Sequence, residues 1–387
     1  MEILNKDSKL NYDDVAIIPE VVSEISSRSE CNPYDEDGYL PIFASCMSTV
    51  VSMENIFDFE MARIRTVLPR TYSIIERLKF NFENQNTFIA ISLHEAEEYF
   101  VMYDIFTFLK ENLHLYVEDD TELRICIDLA NGHMHKLIDI IKSIKDKYGN
   151  RVVVMSGNIA NPETYRFYNE AGCDYVRLGI GGGSCCLSSS NLGLNFPYFS
   201  LLQETYNVKR EVEGKCKIIA DGNIRGYRDI QKALVYADYV MIGGLFNKTM
   251  ESAGKTTYGK SYFNINGYKI LRPIKTLLTY GKEIPRKNFE NIYTNYVKKG
   301  KLEVWKEMFG MSTKKAQSQI NTANSMHNEL KTSEGIIKHQ MVEFDLKGWA
   351  ENEKDYLKSA MSYTNSKTLD EYKDVQWVRI TNIRYNN

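Results

Sequence analysis

The densest group of residues that could do chemistry is the segment Gly179-Ile-Gly-Gly-Gly-Ser-Cys-Cys-Leu-Ser-Ser189. Four of its first five residues are glycine, which permits positive φ values and close approach of the backbone to a ligand. Successive N–H or C=O groups in such a loop can bind an anion or surround a cation. Because a serine and two cysteines follow at once, the segment combines a ligand-binding loop with candidate nucleophiles. A flexible glycine loop beside buried thiols is the alternative interpretation.

Two further glycine-containing turns, Ala220-Asp-Gly-Asn-Ile-Arg225 and Gly243-Gly244, each follow a short apolar run. Turns of this kind can bind phosphate through backbone N–H groups, and Asp221 can accept hydrogen bonds from sugar hydroxyls. The segment Asp128-Leu-Ala-Asn-Gly-His133 follows another apolar run and adds polar groups. The structural alternatives are a simple turn for Asp-Gly, a helix cap for Asp221, and a packed or surface position for His133.

Composition excludes several other classes of protein. The chain has 387 residues and a net charge of −3, so its overall charge does not favour nucleic-acid binding. No HxxxH, HExxH or CxxC pattern occurs, which argues against a transition-metal site. The cysteine count is odd, at seven, and a reducing compartment would keep them as free thiols. The charged start and the broken uncharged run Leu178–Gln203 predict neither a signal peptide nor a membrane span, and hence a cytoplasmic protein.

Short apolar runs recur through the first two thirds of the sequence and predict eight strands. They lie near Pro41–Ala44, Ile64–Val67, Thr87–Ile91, Arg124–Asp128, Arg151–Met155, Tyr175–Leu178, Lys217–Ala220 and Tyr239–Ile242. Apolar residues at helical spacing predict helices at Asn131–Tyr148, Pro162–Ala171 and Arg228–Tyr236. This alternation implies a parallel α/β sheet, and eight repeats favour closure into a (β/α)8 TIM barrel with the glycine turns at the carboxyl ends of its strands. An open doubly wound sheet is the alternative, weakened because no GxGxxG follows the first strand.

The pattern changes after Gly254. We expect a single catalytic domain over residues 1–387, with an insertion at about 255–303 that holds a small β-rich excursion and a helix. A polar, mobile flap is expected at about 313–345. The end of the chain predicts a helix at Asn352–Tyr363, a short helix at Thr368–Tyr372 and a strand at Val375–Ile380.

Taken in order along the chain, the motifs resemble those of the IMP dehydrogenase/GMP reductase family. The resemblance rests on Asn11–Val15, Ser27–Glu30, Pro41–Val50, Asp128–Gly132, Ser156–Asn158, Ala171–Asp174, Gly179–Ser189, Ile219–Arg225, Met241–Gly244, Glu251–Gly254, Phe309–Ser312, Ser333–Gly335 and Val378–Thr381. Each segment is weak evidence alone, but the ordered set is specific and covers most of the chain outside the insertion.

The resemblance implies a barrel that binds a purine mononucleotide, with Cys186 as the nucleophile and with Ser188 and Glu334 relaying a proton. The implied nucleotide-binding residues are Ser184, Asp221, Gly222, Asn223, Gly243, Gly244, Gly310, Met311 and Ser312. A nicotinamide cofactor would contact Asp128, Asn131 and Gly132. The backbone carbonyls of Gly181, Gly183 and Cys186 would face a monovalent cation, potassium, and the chain would form a homotetramer.

The resemblance is nearer to the reductase branch, which implies NADPH-dependent reductive deamination of GMP to IMP. The stretch Arg70–Thr87 leaves no room for the regulatory CBS module that dehydrogenases of this family usually carry. No arginine occurs between Arg286 and Arg379, where dehydrogenases place the arginine of their water-activating pair. Oxidation of IMP to XMP with NAD stays open, as do a deoxy or modified purine substrate and a catalytically silent nucleotide-binding protein.

Several positions depart from the family pattern. Ser48 stands for Asp, Arg70-Thr71 for Lys-His, Gly182 for Pro, Leu187 and Ser189 for Thr and Arg, Asn223 for Gly, and Phe309 for Tyr. These departures leave the nucleotide specificity, the choice between NADPH and NADH, and the rate open.

Overall fold

The computed structural model describes residues 9–380, apart from 184, 186, 266–267, 273–287, 301, 326–328 and 334; the side chains of 188, 259–265 and 268–272 are also outside the description. The strands of the described part, β1 to β14 in chain order, are Val15–Ile17, Ile42–Ala44, Arg65–Leu68, Phe88–Ile91, Leu123–Asp128, Val152–Ile159, Tyr175–Leu178, Lys217–Asp221, Tyr239–Ile242, Thr256–Ile265, Tyr268–Arg272, Glu303–Phe309, Ile337–Met341 and Trp377–Arg379.

Strands β2 to β9 form a closed barrel in which neighbouring strands are parallel. The barrel closes where β9 pairs with β2, with Ile42 opposite Val240. The predicted (β/α)8 TIM barrel is therefore confirmed, and all eight predicted strands are present. The largest difference is at β6, which continues to Ile159. It does so because Gly157 still pairs with the neighbouring strand at Asp128, although it adds nothing to an apolar pattern.

The helices of the described part surround the barrel and extend beyond it. In chain order, α1 to α13 are Ile56–Met61, Ile74–Glu83, Leu93–Ala96, Ile105–Glu111, His135–Tyr148, Thr164–Glu170, Ser188–Leu192, Tyr198–Glu211, Tyr227–Leu234, Gly244–Asn247, Phe289–Ile292, Lys314–Ala323 and Leu346–Tyr363. The predicted stripe on α5 is buried, with Leu137, Ile141 and Ile144 fully covered. No helix in these ranges is both long enough and apolar enough to cross a membrane.

The amino-terminal end of the barrel is filled by aromatic rings. Phe43, Phe88, Tyr175 and Tyr239 pack edge to face, with ring centroids 5.3–5.9 Å apart. The guanidinium of Arg65 lies over the Tyr239 ring and pairs with Asp35 and Asp37. This end is packed and charge-paired, so the space for a ligand lies at the opposite, carboxyl end, as is usual for this architecture.

The chain that follows the barrel forms a four-stranded antiparallel sheet with the order β11-β10-β12-β13. Thr256 of β10 pairs with Lys306 of β12, and Phe309 of β12 pairs with Ile337 of β13. We call strands β10 to β13, with the described residues that connect them, the inserted sheet. The predicted insertion and the predicted flap therefore share one sheet, with α12 between its last two strands. A sequence pattern could not show this, because pairing joins segments distant in the chain.

The C-terminal region corrects two boundaries. The helix expected from Asn352 begins at Leu346, because the Asp345 side chain caps it by accepting a hydrogen bond from the Gly348 N–H at 2.7 Å. The helix predicted at Thr368–Tyr372 is wrong, since this stretch forms turns, and Asp374 with φ +57° prevents a helix from continuing. The predicted last strand is present as β14, paired antiparallel with β1.

Helix α13 carries a buried carboxyl group. Glu353 is fully buried, and neither of its carboxyl oxygens has a hydrogen-bond partner by distance and angle among the described residues. Gln231 of α9 and Tyr372 are its polar neighbours. Burial raises the pKa of Glu353 well above its usual value. The carboxyl group is therefore held in its neutral form across a wide pH range.

We expect Glu353→Gln to stabilise the protein by about 1–3 kcal/mol at pH 8. Because the folded-state pKa is raised, the folded state holds its proton more tightly than the unfolded chain. The stability contributed by Glu353 is therefore complete below the unfolded pKa of about 4.3 and is lost as pH rises through the folded pKa. Thermal unfolding at pH 5 and pH 8 checks this, with the gain larger at pH 8. Glu351→Gln on the exposed face of α13 is the matched control, and an equal gain from both variants would contradict the assignment.

Candidate functional site

A cavity of about 760 Å³ opens at the carboxyl end of the barrel. Its walls come from loops that follow the barrel strands, and one wall comes from the inserted sheet. The main lining segments are Ser45–Met47, Asp128–Ala130, Gly179–Gly183, Asp221–Arg225, Gly243–Gly244 and Gly310–Ser312. The three glycine turns singled out in the sequence therefore meet in one cavity.

The cavity brings together most of the predicted site residues that the structure describes. These are Asp128, Gly181, Gly183, Asp221, Gly222, Asn223, Gly243, Gly244, Gly310, Met311 and Ser312. Asn131 and Gly132 do not line it. Ser184, Cys186, Glu334 and the side chain of Ser188 lie outside the described residues. The chemical roles assigned to all of these residues stay predictions.

Gly132 has a packing role in the structure. Its N–H donates to the Asn158 carbonyl and its own carbonyl accepts from the Tyr168 hydroxyl, both at 2.9 Å. A Cβ at this position would lie 2.7 Å from each of those oxygens, so only glycine fits. The neighbouring His133 accepts from the Ala160 N–H and contacts Thr164, and burial lowers its pKa. Both residues therefore hold the turn after β5 in place.

Arg177 of β7 is buried inside the barrel between two carboxylates. Its Nη1 lies 2.8 Å from Asp128 Oδ1, and its Nη2 and Nε lie 2.8 Å and 3.0 Å from Asp221 Oδ2. The Asn158 amide donates to the same Oδ2 at 2.8 Å. Oδ2 of Asp221 thus accepts three hydrogen bonds. Oδ1 receives none from the described residues, so Oδ1 is the oxygen available to a ligand in the cavity.

Asp128 lies between two guanidinium groups. Besides Arg177, it has Arg70 Nη2 at 3.5 Å from its Oδ2. Burial alone would raise the pKa of Asp128, but the Arg177 and Arg70 charges outweigh burial and lower the pKa. Asp128 is therefore ionised at neutral pH and cannot act there as a proton donor.

Sequence reasoning missed Arg177, although a signal for it was present. Arg177 is the one charged residue in the otherwise apolar run Tyr175–Leu178. A charge in a strand that is buried on both faces needs partners of opposite charge. Such a position therefore indicates a buried ion pair, although its partners on β5 and β8 are visible only in the fold.

The glycine loop is joined to the inserted sheet by backbone contact. The Ile336 N–H donates to the Cys185 carbonyl at 3.0 Å. A Cβ at Gly335 would lie 2.9 Å from the same carbonyl oxygen, so the approach is close. Cys185 immediately precedes Cys186, and Gly335 immediately follows Glu334. The fold thus brings the neighbours of the predicted nucleophile and of the predicted proton relay into contact.

The glycine loop also offers carbonyl oxygens. Gly181 has φ +79°, and its carbonyl accepts from the Ser189 hydroxyl at 3.3 Å. Within the described residues, no three His, Cys, Asp or Glu side chains are grouped to bind a metal ion. Carbonyl oxygens are hard, neutral ligands, and the described part of the loop supplies those of Gly181 and Gly183. The monovalent cation stays a prediction.

We expect Arg177→Met to destabilise the protein by about 3–5 kcal/mol, because it leaves Asp128 and Asp221 without their shared cation. Urea unfolding at neutral pH measures the change. Arg166→Met is the matched control, since Arg166 pairs with the exposed carboxylates of Glu163 and Glu211 and should contribute little. Similar losses from both variants would show that Arg177 does not hold the two carboxylates together.

Comparison with known proteins shows which family has a similar sequence. Residues 107–276 match the family model described as the IMP dehydrogenase / GMP reductase domain. A GMP reductase from Clostridium acetobutylicum is 28% identical over 390 residues, covering 98% of each chain. A GMP reductase from Streptococcus agalactiae serotype V is 31% identical over 297 residues, covering 68% of this chain and 83% of the relative. One from Staphylococcus epidermidis is 32% identical over 264 residues, covering 65% and 76%. With the closed barrel and its glycine-lined cavity, these matches establish that the chain belongs to the IMP dehydrogenase/GMP reductase family.

Proposed function

We propose that this chain is a GMP reductase-like oxidoreductase that converts GMP to IMP and ammonia with NADPH as the reductant. The observation that carries the proposal is the contact between Cys185 and Ile336, which seats the loop bearing Cys186 against the segment bearing Glu334. The relatives named GMP reductase, one of them matched over nearly the whole chain, support the same reaction.

The proposed chemistry uses Cys186 as a nucleophile towards C2 of the purine, an electrophilic amidine carbon. The thiolate adds to C2, and the 2-amino group leaves as ammonia after it receives a proton. This leaves a covalent thioimidate on Cys186. A hydride then reduces C2, and the thiolate departs to give IMP. Ser188 and Glu334 are the residues that we propose to move the proton.

The described residues provide recognition of the nucleotide. Oδ1 of Asp221 is available to accept from ribose hydroxyls, while Arg177 and Asn158 fix Oδ2. The backbone of Gly222, Gly243 and Gly244 lies in the same cavity. Glycine turns of this kind bring backbone N–H groups close to a phosphate, which is the role that we propose for them.

We propose a nicotinamide cofactor and a monovalent cation for this site. NADPH supplies the hydride when bound. Of the three residues that we expect to contact it, Asp128 lines the cavity, and Asn131 and Gly132 do not. The carbonyls of Gly181, Gly183 and Cys186 are proposed to hold potassium, which would fix the conformation of the glycine loop. The choice of NADPH over NADH rests on the resemblance alone.

The region between β3 and β4 bears on the choice of branch. The described residues there contain a single helix, α2. A short connection of this kind supports the reductase, because the family's dehydrogenases usually carry a regulatory module at this point. It also supports our proposal of one catalytic domain over residues 1–387. A homotetramer is proposed from the resemblance, and light scattering would test it. A cytoplasmic location is proposed from the sequence pattern alone.

The test is an assay of purified protein with GMP and NADPH. We expect the absorbance of the reduced nicotinamide to fall and IMP and ammonia to form in equal amounts. Cys186→Ser should lower the rate by about 10³-fold or more, because it removes the covalent route. Cys185→Ser is the matched control and should keep most of the activity, since Cys185 is buried and is not the proposed nucleophile.

Two outcomes would contradict the proposal. A rise in reduced nicotinamide with IMP and NAD, without reduction of GMP, would assign the chain to the dehydrogenase reaction. Loss of activity in the Cys185 variant but not in the Cys186 variant would overturn the assignment of the nucleophile. An adduct on Cys186 with another purine nucleotide, detected by mass spectrometry, would correct the substrate instead.

A further inference from the structure

The ring of Tyr198 lies beneath the glycine loop. Tyr198 is the first residue of α8, is 3% exposed and lines the cavity. Its ring and hydroxyl face three glycines, namely Gly179, Gly182 and Gly222. The first two belong to the loop that leads to Cys186, and the third belongs to the turn after β8. One tyrosine side chain therefore contacts both glycine segments of the site.

The space occupied by Tyr198 explains glycine at position 182. A Cβ built on Gly182 would lie 2.8 Å from Tyr198 Cε2 and still closer to the hydroxyl oxygen. Gly179 and Gly222 have φ +128° and +114°, which favours glycine whatever their surroundings. Gly182 is not among the residues with positive φ. Its backbone would therefore accept alanine, and the Tyr198 side chain is what excludes a Cβ there.

Gly182 also makes a backbone hydrogen bond to the turn after β8. Its carbonyl accepts a hydrogen bond from the Asn223 N–H at 3.1 Å. The loop thus contacts both the Tyr198 ring and the backbone of the turn after β8. Gly182 stands four residues before Cys186, and it replaces the proline that the family pattern has at this position.

The amino-terminal segment of the chain fixes Tyr198 itself. The side-chain oxygen of Asn11 accepts from the Tyr198 N–H at 3.1 Å. Two residues along α8, the Ser200 N–H donates to the Leu10 carbonyl at 3.0 Å, and the Ser200 hydroxyl accepts from the Leu10 N–H at 2.8 Å. The Tyr12 ring lies 6.1 Å from the Tyr198 ring. Three hydrogen bonds and a ring contact therefore hold the start of α8 under the loop.

We propose that Tyr198 is a positioning residue that sets the height and path of the glycine loop and thereby places Cys186. The Tyr198 ring acts by filling the space next to the loop. Because residue 182 is glycine and has no Cβ, the loop backbone packs directly against the ring. This inference rests on the proposed role of Cys186, and Tyr198 itself takes no part in bond making or breaking.

The test is a double-mutant cycle between Gly182 and Tyr198. Gly182→Ala should lower kcat by about 10²-fold, the usual effect of moving a reacting group by about 1 Å. Tyr198→Ala should also lower kcat, because the loop loses its support. In the Tyr198→Ala background, however, Gly182→Ala should cost less than about threefold, since its Cβ no longer meets the ring. The KM for the nucleotide should change less than kcat in each variant.

Two controls separate positioning from general loss of structure. Gly226→Ala adds a Cβ where no atom lies within 4 Å and the backbone has φ −173°, so it should keep wild-type activity. Tyr198→Phe keeps the ring and should stay within about threefold of wild type. If Tyr198→Phe lost as much activity as Tyr198→Ala at an unchanged Tm, the hydroxyl would be needed for another reason and the proposal would be wrong.

A second readout does not depend on the substrate. The rate at which iodoacetamide alkylates Cys186, located by peptide mass spectrometry, reports the placement of the thiol. The other six cysteines are buried, so their labelling should be slow. We expect Gly182→Ala to change this rate severalfold in the wild-type background only. An equal effect of Gly182→Ala in both backgrounds, on kcat or on alkylation, overturns the inference. The wild-type protein could fail to reduce GMP while Gly182→Ala still changes the alkylation rate of Cys186 only when Tyr198 is present. That result would overturn the proposed function and leave the role of Tyr198 intact.

Discussion

A charged side chain buried inside a barrel needs a partner of opposite charge. In this barrel the partners of Arg177 hold the carboxyl ends of three strands in place. Its guanidinium lies between Asp128 and Asp221, so strands β5, β7 and β8 present their last polar residues in a fixed arrangement. Because removal from water makes an unpaired carboxylate costly, each partner needs the others. The same pairing leaves one oxygen of Asp221 for a ligand. The ion pairs inside the barrel and the oxygen that Asp221 presents to the cavity therefore belong to one buried network.

Close backbone packing is the second constraint on the site. The glycine loop lies against Tyr198 and accepts a hydrogen bond from the Asn223 N–H. Tyr198 in turn is held by Asn11 and its neighbours near the start of the described chain. Segments nearly two hundred residues apart in sequence thus meet under the loop, and a structural role for the amino-terminal motif follows from this contact.

The inserted sheet forms the remaining wall of the cavity. Helix α12 reaches the barrel rim, where the Ser48 hydroxyl donates to Gln319 at 3.2 Å and the Asn324 amide donates to the Arg70 carbonyl at 3.4 Å. The Ile336 N–H binds the Cys185 carbonyl. Long hydrogen bonds between polar groups at a surface are individually weak. The contacts at the rim are therefore weak, and firmer anchors of the sheet are buried: Lys306 donates to the Ser252 carbonyl at 2.9 Å, and Leu302 and Val304 pack with Met250.

The sequence by itself determined the eight strands, their order and the turns at which chemistry could occur, because burial on both faces and glycine punctuation leave local signals. It did not determine that Arg177 joins Asp128 to Asp221, since ion pairs across strands depend on register. It placed a helix at Thr368–Tyr372 where turns occur, and it separated two segments that share one sheet. It also left Gly182 unexplained. Only the tertiary structure decided these points, because each depends on atoms that are distant along the chain and adjacent in space.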